Sequence, residues 1–446
     1  MELTDQAYHL IGIGGIGMSG LAHILVDMGG VVTGEECQRN FLTRALEKRG
    51  VRMILPPLDK QTIVYSSAVS FDHETLQRAK RGSLSILHRS ELLATLMRRK
   101  RSLLVAGTHG KSSISALLSH LLSYAGLDPS FAIGGVAPTL SRNGRYGAGP
   151  YFVVEADESD GSFLRYSGEG GILTNIEEDH LDHWQTREQL IEGFVQFLQQ
   201  MTNVDLLFWC RDDPILRKME LSGVSYGIDP HSEVRMLSCQ RSEQGVTFSA
   251  KYGQRVIRRL FIPTLGIHQG VNALAVLGLS LRLGIQERVI RQAFLTFQGV
   301  YRRLQKKGER DGVILYDDYA HHPTAIDTTL FALKEVVGSK RVIVIFQPHR
   351  YTRTLHLFDQ FCRAFAYSDI CVITEIYAAG ESLSLSVSGK MLLDHLTAPR
   401  ERYYIERAAL RDALSSVVRP GDVLVTMGAG DITRFAEEWL GRGGEE

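Results

Sequence analysis

The sequence has little of what marks several classes of protein. It has five cysteines in 446 residues, none of them in a Cys-x-x-Cys pair, which argues against both a disulfide framework and a zinc site. Its 50 basic and 50 acidic residues cancel, so no charge excess would attract nucleic acid or anionic lipid. No apolar run approaches the roughly 20 residues of a membrane span. We therefore expect reduced thiols, small-molecule partners, no nucleic acid and no membrane insertion.

Length and charge distribution narrow the organisation of the chain. A chain of 446 residues exceeds one ordinary core, so two or three domains are expected. The start, Met1–Asp5, is acidic rather than basic, which predicts no targeting segment and a cytoplasmic location. We interpret the basic run Met97–Arg101 as a solvated junction between domains rather than a nucleic-acid patch, because no aromatic residues are interleaved with it.

A glycine-rich turn between an apolar strand pattern and a helical pattern is the most informative segment. Its residues are Gly107, Thr108, His109, Gly110, Lys111, Ser112 and Ser113. Backbone N–H groups at such a helix start bind phosphate, while Lys111 would reach the terminal phosphates and the Ser112 hydroxyl would bind Mg²⁺. The usual pattern has a glycine where this chain has Val105. An ordinary glycine turn with a solvated lysine therefore stays as the alternative.

Two acidic clusters follow two further strand patterns of the same block. Glu155–Asp160 comes after Tyr151–Val154, and Glu177–His183 comes after Ile172–Asn175. Carboxyl ends of parallel strands meet at one edge of a sheet, and one or two carboxylates beside a hydroxyl are enough to hold Mg²⁺. We interpret the clusters as metal-binding, the alternative being solvated acidic loops. Spacing does not decide which carboxylates bind the metal.

A second glycine turn opens the chain. Gly12, Gly14 and Gly17 form a Gly-x-Gly-x-x-Gly pattern between an apolar strand and an apolar helix, which predicts a dinucleotide-type phosphate loop. Glu35 and Glu36, about twenty residues later, could hold a ribose or a base edge. A nicotinamide dehydrogenase would have the same pattern.

Polar residues also gather at the ends of later predicted elements. The segment Gly266–Asn272 opens a helix, and its amides either cap that helix or contact a purine; chemistry alone favours capping. From about Tyr301 a third βαβ block begins, with Asp317–Pro323 and His349–Arg353 at its strand ends. Arginines there are typical forks for a carboxylate or a phosphate. Three blocks with ligand-facing loops predict a composite site between domains.

The chain resembles the Mur ligase family along its whole length. The segments that carry the resemblance are His9–Ser19, Gly107–Ser113, Glu155–Phe163, Thr174–Asp182, Tyr301–Arg303, Asp317–Pro323, Gln347–Thr354 and Gly428–Ile432. The resemblance implies an α/β protein of three domains. These are a Rossmann-like domain for the UDP-sugar (1–98), a central P-loop ATPase domain with a small antiparallel section (99–300) and a C-terminal Rossmann-like domain (301–446).

The same resemblance implies an activity and its substrates. It indicates the alanine-adding branch of the family, which joins L-alanine to the carboxylate of UDP-N-acetylmuramate in peptidoglycan precursor synthesis. ATP phosphorylates that carboxylate, the amine attacks the acyl phosphate, and ADP and phosphate are released. ATP and Mg²⁺ are the expected cofactors, and a monomer or weak homodimer is expected.

Site residues follow by matching each motif position. The resemblance implies catalytic roles for Lys111, Glu158 and His180, with Ser112, Glu158 and His180 as metal ligands. Beyond Gly107–Ser113, the expected ATP contacts are His268, Gln269, Asn272, Arg302 and Asp317. The expected UDP-substrate contacts are Gly12, Gly14, Gly15, Ile16, Gly17, Met18, Ser66, Ser67, His88, Arg89 and Asn175. The expected amino-acid contacts are His349, Arg350 and Arg353.

The sequence departs from the family pattern at a few positions. The phosphate loop has Lys111-Ser112-Ser113 in place of Lys-Thr-Thr, which keeps the metal-binding hydroxyl. Gln269 replaces an asparagine, and Glu35-Glu36 and Pro56-Pro57 replace Ser-Asp and Gly-His, so uridine and adenine contacts would differ in detail. Two rival functions are a NAD-dependent enzyme and a non-catalytic scaffold that binds UDP-muramoyl ligands. Lys111 and the two acidic clusters argue against the NAD-dependent enzyme, and the presence of every expected catalytic residue argues against the scaffold.

Overall fold

The first block is a five-stranded parallel sheet with helices on both faces. The computed structural model describes residues 6–54, 61–383 and 386–441. The elements of this block are β1 (Ala7–Ile11), α1 (Ile16–Asp27), β2 (Val31–Glu35), α2 (Phe41–Glu47), β3 (Arg52–Met53), β4 (Thr62–Tyr65), α3 (Glu74–Arg81), β5 (Ile86–His88) and α4 (Arg89–Met97). The strand order is β3-β2-β1-β4-β5, so β2 and β3 are added on one side of β1 and β4 and β5 on the other. The glycine turn after β1 therefore lies at the topological switch point, where parallel sheets bind ligands.

The central block is a ten-stranded sheet, ordered β15-β14-β13-β12-β11-β10-β6-β9-β7-β8. Its elements are β6 (Arg101–Ala106), α5 (Lys111–Tyr124), β7 (Ser130–Ala132), β8 (Gly144–Arg145), β9 (Tyr151–Glu155), β10 (Gly170–Leu173), α6 (Leu181–Trp184), α7 (Arg187–Leu198), β11 (Leu207–Cys210), α8 (Pro214–Lys218), β12 (Val224–Gly227), β13 (Val234–Ser242), β14 (Gly245–Tyr252), β15 (Arg255–Ile262), α9 (Ile267–Arg282) and α10 (Glu287–Thr296). Strands β13, β14 and β15 pair antiparallel, which confirms the predicted antiparallel section. Strands β6, β9 and β10 are parallel neighbours, so their carboxyl ends meet at one edge.

The third block is a six-stranded sheet, ordered β16-β17-β21-β18-β19-β20. Its elements are β16 (Gln305–Arg310), β17 (Val313–Asp318), α11 (Pro323–Val337), β18 (Val342–Phe346), α12 (Tyr351–His356), α13 (Phe358–Phe361), β19 (Ile370–Ile373), α14 (Gly389–His395), β20 (Glu401–Tyr404), α15 (Leu410–Leu414), β21 (Val423–Met427) and α16 (Ile432–Trp439). Only β16 runs antiparallel to its neighbour. The edge strands β16 and β20 lack apolar runs, which is why the hydrophobic pattern gave no signal for them.

The first two blocks share a core, whereas the third has its own. One continuous apolar cluster runs from the first sheet through the central sheet, and separate clusters cover the two faces of the third sheet. Helix α1 is also fixed to the central block by polar contacts, since Asn143 donates to Ser19 Oγ at 2.9 Å and Arg142 pairs with Asp27 at 3.0 Å. Among the described helices, none has both the length and the apolar character needed to cross a membrane.

A buried histidine in α1 predicts acid sensitivity. His23 is 2% exposed, and Arg49 Nη1 lies 2.9 Å from its Nδ1. Burial and the guanidinium groups of Arg49 and Arg142 lower the pKa of His23 to about 4. The unfolded chain, with an ordinary histidine pKa of about 6.5, takes up the proton first as pH falls, so this residue should remove about 2 kcal/mol of stability between pH 7.5 and pH 5.

Urea unfolding at both pH values tests this. His23→Gln should lose less stability than the natural chain over that range, by about the same 2 kcal/mol. His231→Gln, at a site that is 78% exposed, is the matched control. An equal loss of stability in His23→Gln and the natural chain would contradict the prediction.

Candidate active site

The turn between β6 and α5 has the backbone of a phosphate loop. Gly107 has a φ of 121° and Gly110 a φ of 88°, which other residues rarely adopt. A Cβ on Gly107 would lie 2.1 Å from Thr174 Oγ1. The N–H of His109 donates to Asn175 Oδ1 at 2.8 Å. The segment after β10 therefore fixes the shape of the loop, and it places Asn175 against the phosphate loop rather than beside the amino-terminal glycine turn.

Lys111 is paired with a buried carboxylate. Its Nζ lies 2.7 and 2.9 Å from the two carboxylate oxygens of Glu158 and donates to the Gly107 carbonyl at 2.6 Å. Glu158 is 1% exposed, and burial raises its pKa to about 7 although the Lys111 charge opposes this. The ammonium group is thus held at the start of α5, the place where phosphate loops in general present their N–H groups to an anion.

Glu155, rather than Glu158, lies beside the Ser112 hydroxyl. Ser112 Oγ donates to Glu155 Oε1 at 2.9 Å, and Glu155 Oε2 accepts hydrogen bonds from the Gly134 N–H at 2.6 Å and from Ser115 Oγ at 3.2 Å. Glu155 is the last residue of β9, next to β6 in the sheet. The sequence analysis included Glu155 in its metal-binding cluster but named Glu158 as the ligand. The available signal was that it directly follows the apolar part of the strand.

The second acidic cluster faces the third block. Asp179 accepts from Arg353 Nη2 at 3.1 Å, and its other oxygen lies 3.5 Å from His180 Nε2. Burial would raise the pKa of Asp179, but the charges of His180 and Arg353 hold it far below its usual range. Asp182 pairs with Arg350 at 3.1 Å. The predicted amino-acid residues Arg350 and Arg353 are therefore close to the predicted metal ligand His180.

Three predicted site residues have a left-handed backbone although they are not glycine. The φ angles are 56° at His180, 60° at Arg302 and 67° at Arg350. Such conformations cost about 1–3 kcal/mol each and persist where the surroundings impose them, often at functional sites. The surroundings therefore impose the backbone conformation of these three motif residues, as they do at nine further non-glycine positions among the described residues.

A small cavity lies between the second acidic cluster and α12. Its volume is about 30 Å³, and Glu178, Asp179, His180, Leu181, Asp182, Arg350, Thr352, Arg353, His356 and Leu357 line it. His349 does not line it. The ring of His349 stacks on Tyr377, with centroids 5.7 Å apart, and its Nδ1 lies 3.3 Å from Arg353 Nη1. Burial and the neighbouring arginines lower the pKa of His349 to about 4.

A large cavity separates the central and third blocks. Its volume is about 830 Å³, which suits a nucleotide. The lining includes these predicted ATP residues: His109, Gly110, Ser113, His268, Gln269 and Asn272. Gly266, with no side-chain cap, precedes the first residue of α9, so the capping interpretation of the amides was wrong. Asn272 instead points at the phosphate loop, because a Cβ on Gly110 would lie 3.0 Å from its Oδ1.

Arg302 and Asp317 lie outside the lining of that cavity, and their chain neighbours Arg303 and Asp318 contribute to it. Asp317 is fully buried and accepts hydrogen bonds from Thr426 at 2.6 Å and Thr433 at 2.7 Å. Arg302 donates to the Gly428 carbonyl at 2.7 Å. Alternation along β17 explains the exchange of Asp317 for Asp318, since consecutive residues face opposite sides of the sheet.

The amino-terminal glycine turn faces the central block. Ser67 Oγ lies 3.1 Å from His88 Nε2 and donates to Asp160, which also pairs with Arg89 at 3.0 Å. A Cβ on Gly17 would lie 3.3 Å from Arg89 Nη1, so this cluster and the glycine turn meet. Asp160 links the blocks and was not among the predicted site residues. Ser66 makes no side-chain hydrogen bond among those seen in the described residues.

The structure corrects the expectations for Met18 and Glu35 around the glycine turn. Met18 is 3% exposed and packs in the shared core, so its side chain is unavailable to a ligand. Glu36 Oε2 accepts from the Gly14 N–H at 2.9 Å, whereas Glu35 is buried between His9 and His73. Gly12, with a φ of 69°, forms the turn, the Gly15 N–H donates to its carbonyl at 3.0 Å, and Ile16 starts α1. Pro56-Pro57 lies outside the described residues.

Family models match almost the whole chain. The Mur ligase family catalytic domain matches residues 7–101, the Mur ligase middle domain matches residues 105–280, and the glutamate ligase domain of Mur ligases matches residues 302–430. The UDP-N-acetylmuramate–L-alanine ligase of Protochlamydia amoebophila is 40% identical over 441 residues, which cover 97% of each chain. The enzyme of the same name from Anaeromyxobacter dehalogenans is 40% identical over 443 residues, covering 97% of this chain and 96% of the relative.

Solved structures give the same picture. The UDP-N-acetylmuramate-alanine ligase of Thermotoga maritima superimposes with a TM-score of 0.85 at 27% identity and 98% coverage of both chains. A murein peptide ligase from Psychrobacter arcticus has a TM-score of 0.73 at 22% identity, again over 98% of both chains, which shows the shared fold. A MurF ligase from Thermotoga maritima, solved in complex with ADP, has a TM-score of 0.66 at 16% identity, covering 99% of this chain and 100% of that chain, and it likewise shows the fold.

Proposed function

The chain belongs to the Mur ligase family, and from that premise we propose that it joins L-alanine to the carboxylate of UDP-N-acetylmuramate at the expense of ATP, a step of peptidoglycan precursor synthesis. One observation carries the proposal. The phosphate-loop lysine, the Ser112–Glu155 pair and the arginines beside Asp179 converge from the central and third blocks. A kinase or hydrolase needs the first two, but the paired arginines supply a site for a second, carboxylate-bearing substrate.

We propose that each of the three blocks binds a different part of the substrates. Residues 1–98 would bind the UDP-sugar, residues 99–300 ATP, and residues 301–446 would complete the site for ATP and the amino acid. The family models break close to residues 101 and 302, which supports these boundaries. The protein would act in the cytoplasm. It would act as a monomer or weak homodimer, because one chain supplies every proposed site residue.

The residues present fit Mg²⁺. The Ser112 hydroxyl and Glu155 carboxylate offer the oxygen ligands that Mg²⁺ prefers, and His180 is the proposed ligand of a second ion. Bound Mg²⁺ would neutralise charge between the γ-phosphate and the substrate carboxylate. We propose Glu155 for the Ser112 site because its Oε1 accepts a hydrogen bond from the Ser112 hydroxyl, whereas Glu158, predicted as a ligand from its motif position, is paired with Lys111.

The reaction that we propose needs no covalent protein nucleophile. An oxygen of the substrate carboxylate attacks the γ-phosphorus, and the bond to ADP breaks. The amine nitrogen of L-alanine then attacks the acyl carbon, the carbon–oxygen bond to phosphate breaks, and the nitrogen loses a proton. Lys111 would stabilise the negative charge on the transferring phosphoryl group, and the Arg350 and Arg353 guanidinium groups would hold the L-alanine carboxylate.

Phosphate release tests the activity. Protein, ATP, Mg²⁺ and UDP-N-acetylmuramate should release phosphate only when L-alanine is added, and more slowly with glycine or L-serine. Release that requires an L-alanyl peptide in place of L-alanine would assign the chain to peptide addition, and release without any amine would reject the ligase proposal.

Arg350 offers a test of amino-acid binding. Arg350→Lys should raise KM for L-alanine about tenfold and leave KM for ATP unchanged, because lysine loses the planar two-donor fork, worth about 1.4 kcal/mol. The side chain is 39% exposed, so the fold should tolerate the change. Steady-state kinetics with each substrate varied in turn measure both constants. An unchanged KM for L-alanine would remove Arg350 from the site.

A further inference from the structure

Three side chains from three segments converge outside the proposed Mg²⁺ sites. His109 lies in the phosphate loop, Glu177 follows β10, and His322 precedes α11 in the third block. His109 Nε2 lies 2.7 Å from Glu177 Oε2, and His322 Nδ1 lies 3.9 Å from the same oxygen. The atoms that these residues could offer to a metal, one from each side chain, all lie within 4.8 Å of one another. Two imidazoles and a carboxylate thus face a common point between the central and third blocks.

The hydrogen bonds of His322 leave one ring nitrogen ready for a ligand. His322 is 1% exposed, and its Nε2 lies 3.1 Å from the Glu178 carbonyl oxygen. A carbonyl oxygen only accepts, so Nε2 carries the proton and Nδ1 presents a lone pair. That Nδ1 is buried and has no hydrogen-bond partner. A histidine that donates one N–H to a carbonyl while the other nitrogen faces a carboxylate has the usual arrangement of a metal ligand.

Two of the three ligands are already in the protonation state that a metal needs, whereas His109 Nε2 donates its proton to Glu177 Oε2 and would release that proton when an ion binds. Burial lowers the pKa of His322, which keeps the imidazole neutral at neutral pH. Burial would raise the pKa of Glu177, but hydrogen bonds from His109 and Thr324 lower it, so the carboxylate is ionised. Thr324 Oγ1 donates to Glu177 Oε1, the oxygen that is not shared with the histidines, and orients the carboxylate.

We propose that His109, Glu177 and His322 bind one borderline divalent transition ion, of the class of Zn²⁺ or Co²⁺, across the contact between the central and third blocks. Imidazole nitrogen favours these ions, whereas Mg²⁺ prefers oxygen. Tetrahedral ligands about 2.0–2.1 Å from a metal stand about 3.3 Å apart, so His109 and Glu177 separate by about 0.6 Å and His322 approaches by a similar amount. His109 and Glu177 line the large cavity, which leaves the fourth position open to solvent or a ligand.

Such an ion would tie the phosphate loop to the third block. Because the third block has a core of its own, the ion would favour the closed arrangement of the two blocks. Zn²⁺ bound there is expected to slow turnover, because it would hold the phosphate loop against the third block.

Cobalt absorption tests the site without any substrate. The full-length chain, stripped with a chelator and free of nucleotide, is titrated with Co²⁺, and a visible d–d band that saturates at one equivalent is expected. Zn²⁺ should abolish the band, and excess Mg²⁺ should leave it. His322→Gln, which keeps a donor for the Glu178 carbonyl, and His109→Ala should each weaken Co²⁺ binding at least about tenfold.

Two control variants separate this site from others. His231→Ala removes an exposed histidine that is paired with Asp229, and His180→Ala removes the proposed Mg²⁺ ligand. Both should keep the natural Co²⁺ affinity. Thermal unfolding of all variants without metal shows whether they fold. The proposal is overturned if no band forms at millimolar Co²⁺, if the band survives in folded His322→Gln and His109→Ala, or if only His180→Ala abolishes it. None of these outcomes depends on ligase activity.

Discussion

Replacing Lys111 with alanine is expected to reduce kcat/KM for ATP-dependent phosphate release by about 10³-fold. The ammonium group belongs to the one lysine or arginine in the phosphate loop Gly107–Ser113, and it is held by both oxygens of Glu158. Its loss removes the positive charge that stabilises the negative charge developing on the transferring phosphoryl group. Malachite-green phosphate release, with UDP-N-acetylmuramate and L-alanine at saturation, measures the effect.

A second variant separates chemistry from folding. Lys111→Ala leaves the Glu158 carboxylate, 1% exposed, without its cation, and breaking a buried pair in this way costs about 3 kcal/mol or more. Lys111→Ala/Glu158→Gln removes both charges and should recover much of the stability while activity stays low. Recovery of activity in the double variant would show that Lys111 acts only through the fold.

Glu155→Gln is expected to shift the Mg²⁺ concentration for half-maximal activity upward by about 10–100-fold. Glu155 accepts the Ser112 hydroxyl at 2.9 Å, so the two oxygens are placed to share one ion. Glu158→Gln is the matched control, three residues away in the same cluster, and should leave the Mg²⁺ dependence unchanged because that carboxylate belongs to Lys111. Activity measured over a range of Mg²⁺ concentrations compares the two variants.

The opposite result would restore the assignment made from the motif. If Glu158→Gln shifts the Mg²⁺ dependence and Glu155→Gln does not, then nucleotide binding must exchange the partners of Lys111 and Ser112. Ser112→Ala provides an internal check, because it should raise the Mg²⁺ concentration for half-maximal activity, as Glu155→Gln does.

Much of the fold and the position of the site could be predicted from local pattern. Apolar strands that end in glycine or acidic residues predicted the phosphate loop and its neighbours, and the structure brings β6, β9 and β10 together at one sheet edge. The polar edge strands β16 and β20 escaped prediction, since a strand that is half exposed needs no apolar run. The positions of proline and glycine did not reveal these two strands either.

The choice between neighbouring residues was beyond the sequence. Glu155 and Glu158 belong to one motif, and Asp317 and Asp318 to another. Spacing alone cannot decide which residue of each pair contacts the ligand. Packing separates them, because Glu155 ends a strand opposite Ser112 whereas Glu158 is buried against Lys111. Likewise Asp317 is enclosed by Thr426 and Thr433, so Asp318 reaches the cavity.

By itself, the sequence determined the α/β class, the two glycine turns and the segments that carry the chemistry, because backbone conformation and apolar periodicity are local properties. Only the tertiary structure decided which side chains within those segments meet. His109, Glu177 and His322 are separated by 68 and 145 residues in sequence, and their convergence depends on the third block closing on the central one. Contacts of that kind arise from the packing of whole blocks, which no local pattern encodes.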